Sequence, residues 1–517
     1  MRLIDYFDRG ALRFADRACL VDGNQSWTYS EIAGLSQRVA RGLLDAGLGH
    51  ESRVAIYSPN HAMAYACILG VTRAGCTWVT VNARNAIEEN TYILGNTETE
   101  WLFYHSEFED YVDNIREDCP AIKNYVCLDK PGGYGQLLDE WMPAADSTVS
   151  DLPHDPTAIA LLISSGGTTG RPKGVMITHG NIETMNTCFN TGMPTSEPPV
   201  YLMVAPMTHA AGVTSFALLS NGATNVIMAK PDPEAIMQTI ERDKVTHLFL
   251  PPTVIYVMLA HPNVRRYDYS SLRNFIYAAA PMSADKLREA IDVFGPVMTQ
   301  TYGQAEAAMI CTFFSPEQHV DALNNGNEQR LLSCGQPVPF MRVEIMDDAG
   351  NLLPQGESGE IVVRGGLVMK GYYNNPDATK EASLYGWHHT GDIGYKDEDD
   401  FVYIVDRKKD MIITGGFNVY PSEIEQVIWT HDAVQDCAVV GVPDEKWGEA
   451  VKAVIELKPG GSVGEDEIIT LCKGRLGSVK APKTVEFWAE LPRSPVGKVL
   501  KKDIRKPYWE GHERSVS

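Results

Sequence analysis

The stretch Leu161-Leu-Ile-Ser-Ser-Gly-Gly-Thr-Thr-Gly-Arg-Pro-Lys-Gly174 gathers residue types suited to holding an anion. Between Ser164 and Lys173 it has four hydroxyls, three glycines and two cations, and an apolar strand leads into it. Glycines let a backbone approach an anion closely, and amide and hydroxyl donors satisfy phosphate oxygens. Arg171 and Lys173 add positive charge. A Gly-rich hairpin with a solvated tip is the bland alternative. A Walker loop is the sharper one, but it needs GxxxxGK followed by Ser or Thr. Here Pro172 precedes Lys173 and Gly174 follows it, and the proline interrupts the helix start a Walker loop requires.

The segment resembles the phosphate-binding signature of the adenylate-forming superfamily of acyl-CoA synthetases, luciferases and peptide-synthetase adenylation domains. The resemblance covers essentially the whole chain, because further motifs follow in the family's order. It implies that ATP is a substrate, its β- and γ-phosphates held by a loop containing Ser165, Gly166, Thr168, Thr169 and Lys173. Thr301-Tyr-Gly-Gln-Ala-Glu306 lies just past a predicted strand, where open α/β sheets bind ligands. It is similar to the family's TYGxTE-type motif, with Ala305 where Thr is usual. By that resemblance Glu306 would help hold Mg²⁺, an ion that prefers oxygen donors alongside phosphates. Tyr302 would lie against adenine, Thr301 would contact the α-phosphate, and Gly303 would belong to the same nucleotide site.

Tyr277-Ala-Ala-Ala-Pro281 resembles the family's small-residue turn beside adenine and the acyl group, which assigns Ala279 and Ala280 to the nucleotide; the same small side chains could equally pack a helix on a sheet. Gly386-Trp-His-His-Thr-Gly-Asp392 and Asp406-Arg407 resemble the two motifs next to the ribose. Asp392 would accept hydrogen bonds from both ribose hydroxyls, as an ionised carboxylate can, and Arg407 would hold the ribose from the other side. His388 and His389 make a poor metal chelate, because adjacent residues on a strand point to opposite faces.

Lys498, in Pro492-Arg-Ser-Pro-Val-Gly-Lys498, resembles the lysine that the family's small domain inserts during adenylation. The chemistry calls for such a group. An anionic carboxylate must attack an anionic α-phosphate, and a cation touching both stabilises the transition state. Ile412-Ile-Thr-Gly-Gly-Phe-Asn-Val-Tyr-Pro-Ser-Glu-Ile-Glu425 resembles the lining of the coenzyme A channel, where Gly415 and Gly416 would let the pantetheine arm pass. Lys409 aligns with the hinge residue. Pro206-Met-Thr-His209 resembles the border of the acyl pocket, with His209 near the carboxylate; a packing histidine is the alternative. Amino-acid-activating relatives carry an aspartate in that region, where this chain has Ala210, Ala211 and Gly212. Acetate-specific relatives carry tryptophan where it has Tyr302. Both differences favour a medium-chain, aromatic or alicyclic acid.

These groups need a scaffold. Thr28-Tyr-Ser-Glu31 is a capping box, followed by an apolar face of Ile32, Leu35, Val39 and Leu43 that Gly47 can end. Arg53–Tyr57, Thr77–Val81, Asn225–Ala229, His247–Leu250, Asn274–Ala278 and Val297–Thr301 are predicted strands. Helices over His61–Arg73, Pro233–Asp243 and Ser283–Phe294 alternate with them. That is the pattern of α/β layers with largely parallel sheets. From Val343 the texture becomes a β-meander, with short strands at Val343–Met346, Glu360–Arg364 and Phe401–Val405. After Asp406 comes a smaller α+β unit: strand Met411–Ile413, helix Pro421–His431, strands near Ala433–Val440 and Val451–Leu457, and helix Glu465–Leu476. The expected fold is therefore α/β. A large N-terminal domain of layered sheets, with a β-barrel-like subdomain, spans 1–408 and carries the ATP and acyl sites. A small mobile α+β domain spans 409–517 and carries the catalytic lysine.

The chain has 517 residues and a formal charge of −22, which points to more than one domain and argues against nucleic acid as a partner. A local basic patch remains: Ser478–Lys506 holds eight Lys/Arg against three Asp/Glu. The ten cysteines form no CxxC pair, as expected of reduced thiols in a cytoplasmic protein. No signal-peptide core and no transmembrane window is visible. The motifs leave a homodimer open. The activity they imply is that of an AMP-forming acid–thiol ligase, with ATP, Mg²⁺ and coenzyme A as its small-molecule requirements. The rivals are an adenylating enzyme that loads a carrier protein, a luciferase-like oxygenase, and a non-catalytic nucleotide-binding scaffold. No carrier domain is fused, the final Arg514-Ser-Val-Ser517 lacks a peroxisomal tripeptide, and the retained Lys173, Glu306, Asp392, Arg407 and Lys498 oppose a dead scaffold.

Overall fold

A computed structural model describes residues 1–131, 134–165, 172–494 and 498–510. Gly166, Thr168, Thr169 and Arg171 of the predicted phosphate loop lie outside the described residues, as does Arg514–Ser517.

Among the described residues, four sheets carry the fold. A nine-stranded sheet runs from Gln336–Pro337 at one edge to Gln25–Thr28 at the other. Its centre is parallel, including Val200–Met203, His247–Leu250, Asn274–Tyr277 and Met298–Gln304. An eight-stranded sheet is parallel from Gln136–Leu137 to Ile159–Ser165 and then turns antiparallel through Lys173–Thr178 and Gly371–Tyr372. Met341–Met346, Gly359–Gly365, His388–Lys396 and Val402–Arg407 form an antiparallel four-stranded sheet. The fifth to last strand of the chain onward, from Ile412–Thr414 to Thr484–Trp488, builds a separate five-stranded sheet.

One apolar core joins the two large sheets, and two helices explain how. Thr28 caps the helix Tyr29–Asp45 through the predicted capping box, with Glu31 returning to the Thr28 amide. Such a cap stabilises a helix by about 1 kcal/mol. Ile32, Val39 and Leu43 are buried as expected, and Leu35 is half-buried. The next helix, Ala62–Arg73, is buried at every residue except Met63, which is why its sequence is apolar all round. The two helices touch at Gly70, where a Cβ would come within 2.4 Å of Val39. Arg73 is buried at the end of this helix, and Asp8 neutralises it, with Nη1 3.0 Å from Oδ2.

Two expectations change. Thr301–Gln304 lies on the strand Met298–Gln304 itself, not past its end. An antiparallel partner, Ala307–Phe314, pairs with it and extends it, with a register shift between Tyr302 and Gln304. The helix starting at Pro421 stops at Ile428, earlier than His431. The helix that starts at Glu465 breaks just after Leu476, as expected, at Gly477, whose φ of 79° is not helical, and a further turn reaches Lys480.

Candidate active site

The register of two neighbouring strands builds the first part of the site. Asp392 stands opposite Arg407 in the antiparallel pair His388–Lys396 and Val402–Arg407. Asp392 is 3% exposed, and Arg407 Nε reaches its Oδ1 at 2.8 Å. Arg407 Nη1 also donates to the Thr390 carbonyl at 3.3 Å. Tyr302 comes from the nine-stranded sheet and donates its hydroxyl to Asp392 Oδ2 at 2.7 Å. Burial and the Asp392 charge together push the Tyr302 phenol far above its ordinary pKa, so it stays a donor. Thr301 beside it is buried. Gly303 is required by packing, since a Cβ there would meet the Met309 carbonyl carbon at 2.4 Å.

Lys498 joins this group from the C-terminal unit. Its backbone is fixed by a tight exchange with Ser494: the Ser494 amide donates to the Lys498 carbonyl at 2.7 Å, and the Lys498 amide to Ser494 Oγ at 3.1 Å. The residue is exposed. Loss of hydration and then the nearby Arg407 charge lower its pKa, while Asp392 and Asp410 oppose that shift. Its charge thus lies within electrostatic reach of the Asp392–Arg407 pair.

A second cluster surrounds Glu306, which is 9% exposed. Tyr372 donates its hydroxyl to Glu306 Oε1 at 2.9 Å. Lys173 Nζ lies 4.8 Å from the centre of the Tyr372 ring, a cation–π contact. Lys173 starts the strand after the phosphate loop and pairs in register with Ser165, which ends the strand before it. The loop ends are therefore fixed side by side. Among the described residues no three His, Cys, Asp or Glu side chains gather as a metal cage. A single buried carboxylate, linked through Tyr372 to Lys173, fits a cation that takes most of its ligands from phosphate and water, as Mg²⁺ does.

Other expected residues stand elsewhere. His209 precedes the helix Ala210–Leu219, with Nδ1 3.0 Å from the Thr208 carbonyl. That contact places the proton on Nδ1 and leaves Nε2 as an acceptor, and burial lowers the ring's pKa. Gly212 is glycine because a Cβ would strike the Met207 carbonyl oxygen at 1.7 Å; its small size reflects packing. Ala279 adopts a left-handed φ of 73° in the Ala278–Ala280 turn and is exposed, with Ala280 half-buried. Gly415 and Gly416 form the exposed tip of the hairpin Ile412–Val419, both with left-handed φ. The Gly415 amide donates to the Trp447 carbonyl at 2.8 Å.

Around the junction at 408–410, Lys408 pairs with Asp348 at 2.7 Å and Glu360 at 3.2 Å. Asp410 pairs with Arg505 at 3.0 Å. Burial, with Arg407, Lys498 and Arg505 nearby, lowers Lys409 to about 8, against the pull of Asp410. Much of the basic patch is committed to such pairs: Arg493 binds Asp436 and Glu456, and Lys501 binds Glu425. It is not an open cationic surface.

Tyr372, Thr390 and Glu360 were not singled out from sequence. Tyr372 lies 66 positions from Glu306, so no local spacing connects them.

Comparison with known proteins shows the family. Residues 7–373 match the AMP-binding enzyme family, and residues 423–498 match the AMP-binding enzyme C-terminal domain. A medium/long-chain-fatty-acid–CoA ligase, FadD8, of Mycobacterium tuberculosis is 42% identical over 374 residues, 71% of this chain and 64% of that protein. A feruloyl-CoA synthase of an Amycolatopsis species is 35% identical over 94% of this chain and 95% of its own. The crystal structure of ATP-bound MatB from Rhodopseudomonas palustris superposes with a TM-score of 0.89 at 28% identity, covering 99% of this chain and 100% of that one. The chain belongs to the AMP-binding enzyme family, within the adenylate-forming superfamily that its motifs resemble.

Proposed function

We propose that the chain is an AMP-forming acid:coenzyme A ligase that works in two half-reactions. In the first, a carboxylate oxygen attacks the α-phosphorus of ATP, pyrophosphate leaves, and an acyl-adenylate forms. In the second, the thiol sulfur of coenzyme A attacks the acyl carbon, the thiol proton is lost to solvent, and AMP leaves. AMP is a far better leaving group than the carboxylate oxygen, which is why ATP is consumed. The observation that carries this reading is the buried Asp392–Arg407 ion pair, with Tyr302 on the second carboxylate oxygen and the Lys498 charge within electrostatic reach.

In this reading Lys498 bridges the two anions that must react, and Asp392 and Arg407 orient the ribose. Tyr302 fixes the Asp392 carboxylate from the side opposite Arg407. Ser165 and Lys173, with Gly166, Thr168 and Thr169, hold the β- and γ-phosphates. Glu306 would hold Mg²⁺, which when bound neutralises phosphate charge. Ala279 and Ala280 border adenine, His209 borders the acyl carboxylate, and Gly415 and Gly416 line the thiol's route. Residues 1–408 form the adenylation unit, and 409–517 the unit that turns between half-reactions.

For the acid we favour a medium-chain, aromatic or alicyclic carboxylate. The fatty-acid and feruloyl names of the relatives support that range. No described helix is long and apolar enough to cross a membrane. All ten cysteines are buried and unpaired, which supports a reducing compartment such as the cytoplasm.

The test is pyrophosphate exchange into ATP with a panel of acids, followed by thioester formation with free coenzyme A. Exchange with a C6–C12 or cinnamate-type acid and release of AMP on adding coenzyme A are expected. Failure of every acid to support exchange would remove the assignment. Exchange without thioester would redirect it to a carrier-loading enzyme.

A further inference from the structure

Asn60 stands between the strand Arg53–Tyr57 and the helix Ala62–Arg73, and it is 7% exposed. Its side chain crosses from the eight-stranded sheet to the carboxyl ends of two strands of the nine-stranded sheet. Nδ2 lies 3.3, 3.2 and 3.0 Å from the carbonyl oxygens of Met203, Val204 and Ala205, and 3.1 Å from that of Met228. Oδ1 accepts the Met207 amide at 2.7 Å. Carbonyl acceptors on one side and an amide donor on the other leave one orientation for the group. An aspartate of the same shape would set an oxygen against those carbonyls, and an apolar residue would leave the Met207 amide without its acceptor.

The segment so held leads to His209. Met207 is 1% exposed and is fixed at both ends. Asn60 takes its amide, and its carbonyl oxygen sits where a Cβ on Gly212 would come within 1.7 Å. Only Thr208 separates this point from His209. The His209 amide donates to the Pro206 carbonyl at 3.0 Å, which closes the segment as a turn. The ring therefore takes its place from a turn that Asn60 ties to the other sheet. Met228 extends the tie, because it follows Thr224–Ile227, the parallel neighbour of Val200–Met203. Ligands of open α/β sheets bind outside such carboxyl ends.

We propose that Asn60 is a positioning residue for the acyl-binding step: it fixes the backbone from Met203 to Met207 and so sets where His209 stands against the acid's carboxylate. This rests on reading His209 as the border of the acyl site. The hydrogen bonds of Asn60 given above involve none of the strands that carry Lys173, Asp392 and Arg407, so breaking the tie acts on the acid and spares ATP. A misplacement of about 1 Å caused by a change away from the chemistry costs roughly 10²-fold in rate.

The experiment measures pyrophosphate exchange with the full-length protein, varying the acid and ATP separately, in Asn60→Asp, Asn60→Ser, His209→Ala and the double variant Asn60→Ser/His209→Ala. Asn60→Asp keeps the shape and the acceptor but loses the donor; Asn60→Ser removes the amide without adding charge. Both are expected to lower kcat/KM for the acid about 10- to 100-fold with the KM for ATP unchanged. The double variant is expected to lose little more than His209→Ala alone, since coupled residues are not additive. A KM for ATP that rises in step with that for the acid, or loss of folded protein in both single Asn60 variants, assigns Asn60 to joining the sheets alone and overturns the proposal. Unchanged kinetics for the acid in Asn60→Ser overturns it as well, as do fully additive losses in the double variant. Normal use of the acid by His209→Ala removes the histidine's role and the proposal with it. Failure of the unmutated protein to exchange with any acid removes the ligase assignment itself.

Discussion

Arg407 holds Asp392 at 2.8 Å across two strands whose register sets the two residues opposite each other. The pairing is therefore a property of the sheet and is in place before any nucleotide enters. Arg407 also reaches the Thr390 carbonyl, a two-point hold that the single ammonium of lysine cannot reproduce. Arg407→Lys should raise the KM for ATP in pyrophosphate exchange 10- to 100-fold, the equivalent of about 1.5–3 kcal/mol for hydrogen bonds to a charged group. An unchanged KM would mean that the pair is structural only.

Lys498→Ala should separate the two half-reactions. With the cation gone, nothing in the small unit offsets repulsion between carboxylate and α-phosphate, and adenylation should fall by about 10² or more. Conversion of supplied acyl-AMP to thioester needs no such cation and should persist near the unmutated rate. Equal loss of both steps in a single-turnover assay would refute the assignment.

Acid should destabilise the protein in a defined window. His179, His247 and His319 are buried, and burial lowers each of them to about 4. Each native pKa lies below the unfolded value of about 6.5, so the unfolded chain takes up the proton first. Stability is then complete above that value and falls as pH drops toward 4, by on the order of 3 kcal/mol per histidine at most. Tm measured from pH 7 to pH 4 should decline steadily, and His319→Gln should flatten part of the slope. A Tm independent of pH across that interval would show that these rings do not stay neutral.

The strands and helices that carry the site were largely legible from periodicity, because burial on one face imposes it. His247–Leu250 and Pro233–Asp243 have the limits that their apolar patterns indicate. The strand through Tyr302 outruns its apolar pattern, because its last residues are held by Ala307–Phe314 and not by an apolar run of their own. The individual motifs could be recognised, but their assembly could not. Tyr302 and Asp392 are 90 residues apart, and Tyr372 and Glu306 are 66 apart; only the packing of separate sheets brings them together. His388 illustrates the other gap. Its strand position is readable, but the burial of its ring depends on every neighbour at once.

The exposed Gly415–Gly416 tip gives the clearest test of the thiol's route. Both residues have left-handed φ, yet they differ in what surrounds them. A Cβ on Gly415 would lie 2.6 Å from the Trp447 ring, whereas a Cβ on Gly416 would meet nothing within 4 Å. Gly415→Ala therefore disturbs the fold of the hairpin, and its effect on activity would be ambiguous. Gly416→Leu carries only the backbone strain of a left-handed position, roughly 1–2 kcal/mol, and projects its bulk into open space. Adenylation should stay within a few-fold of normal, while thioester formation should fall by at least tenfold, with a raised KM for coenzyme A. Both half-reactions can be followed on the same preparation, by pyrophosphate exchange and by AMP release. Normal turnover in Gly416→Leu would place the thiol's path elsewhere, since an added side chain at an unobstructed tip can interfere only with something that must pass over it.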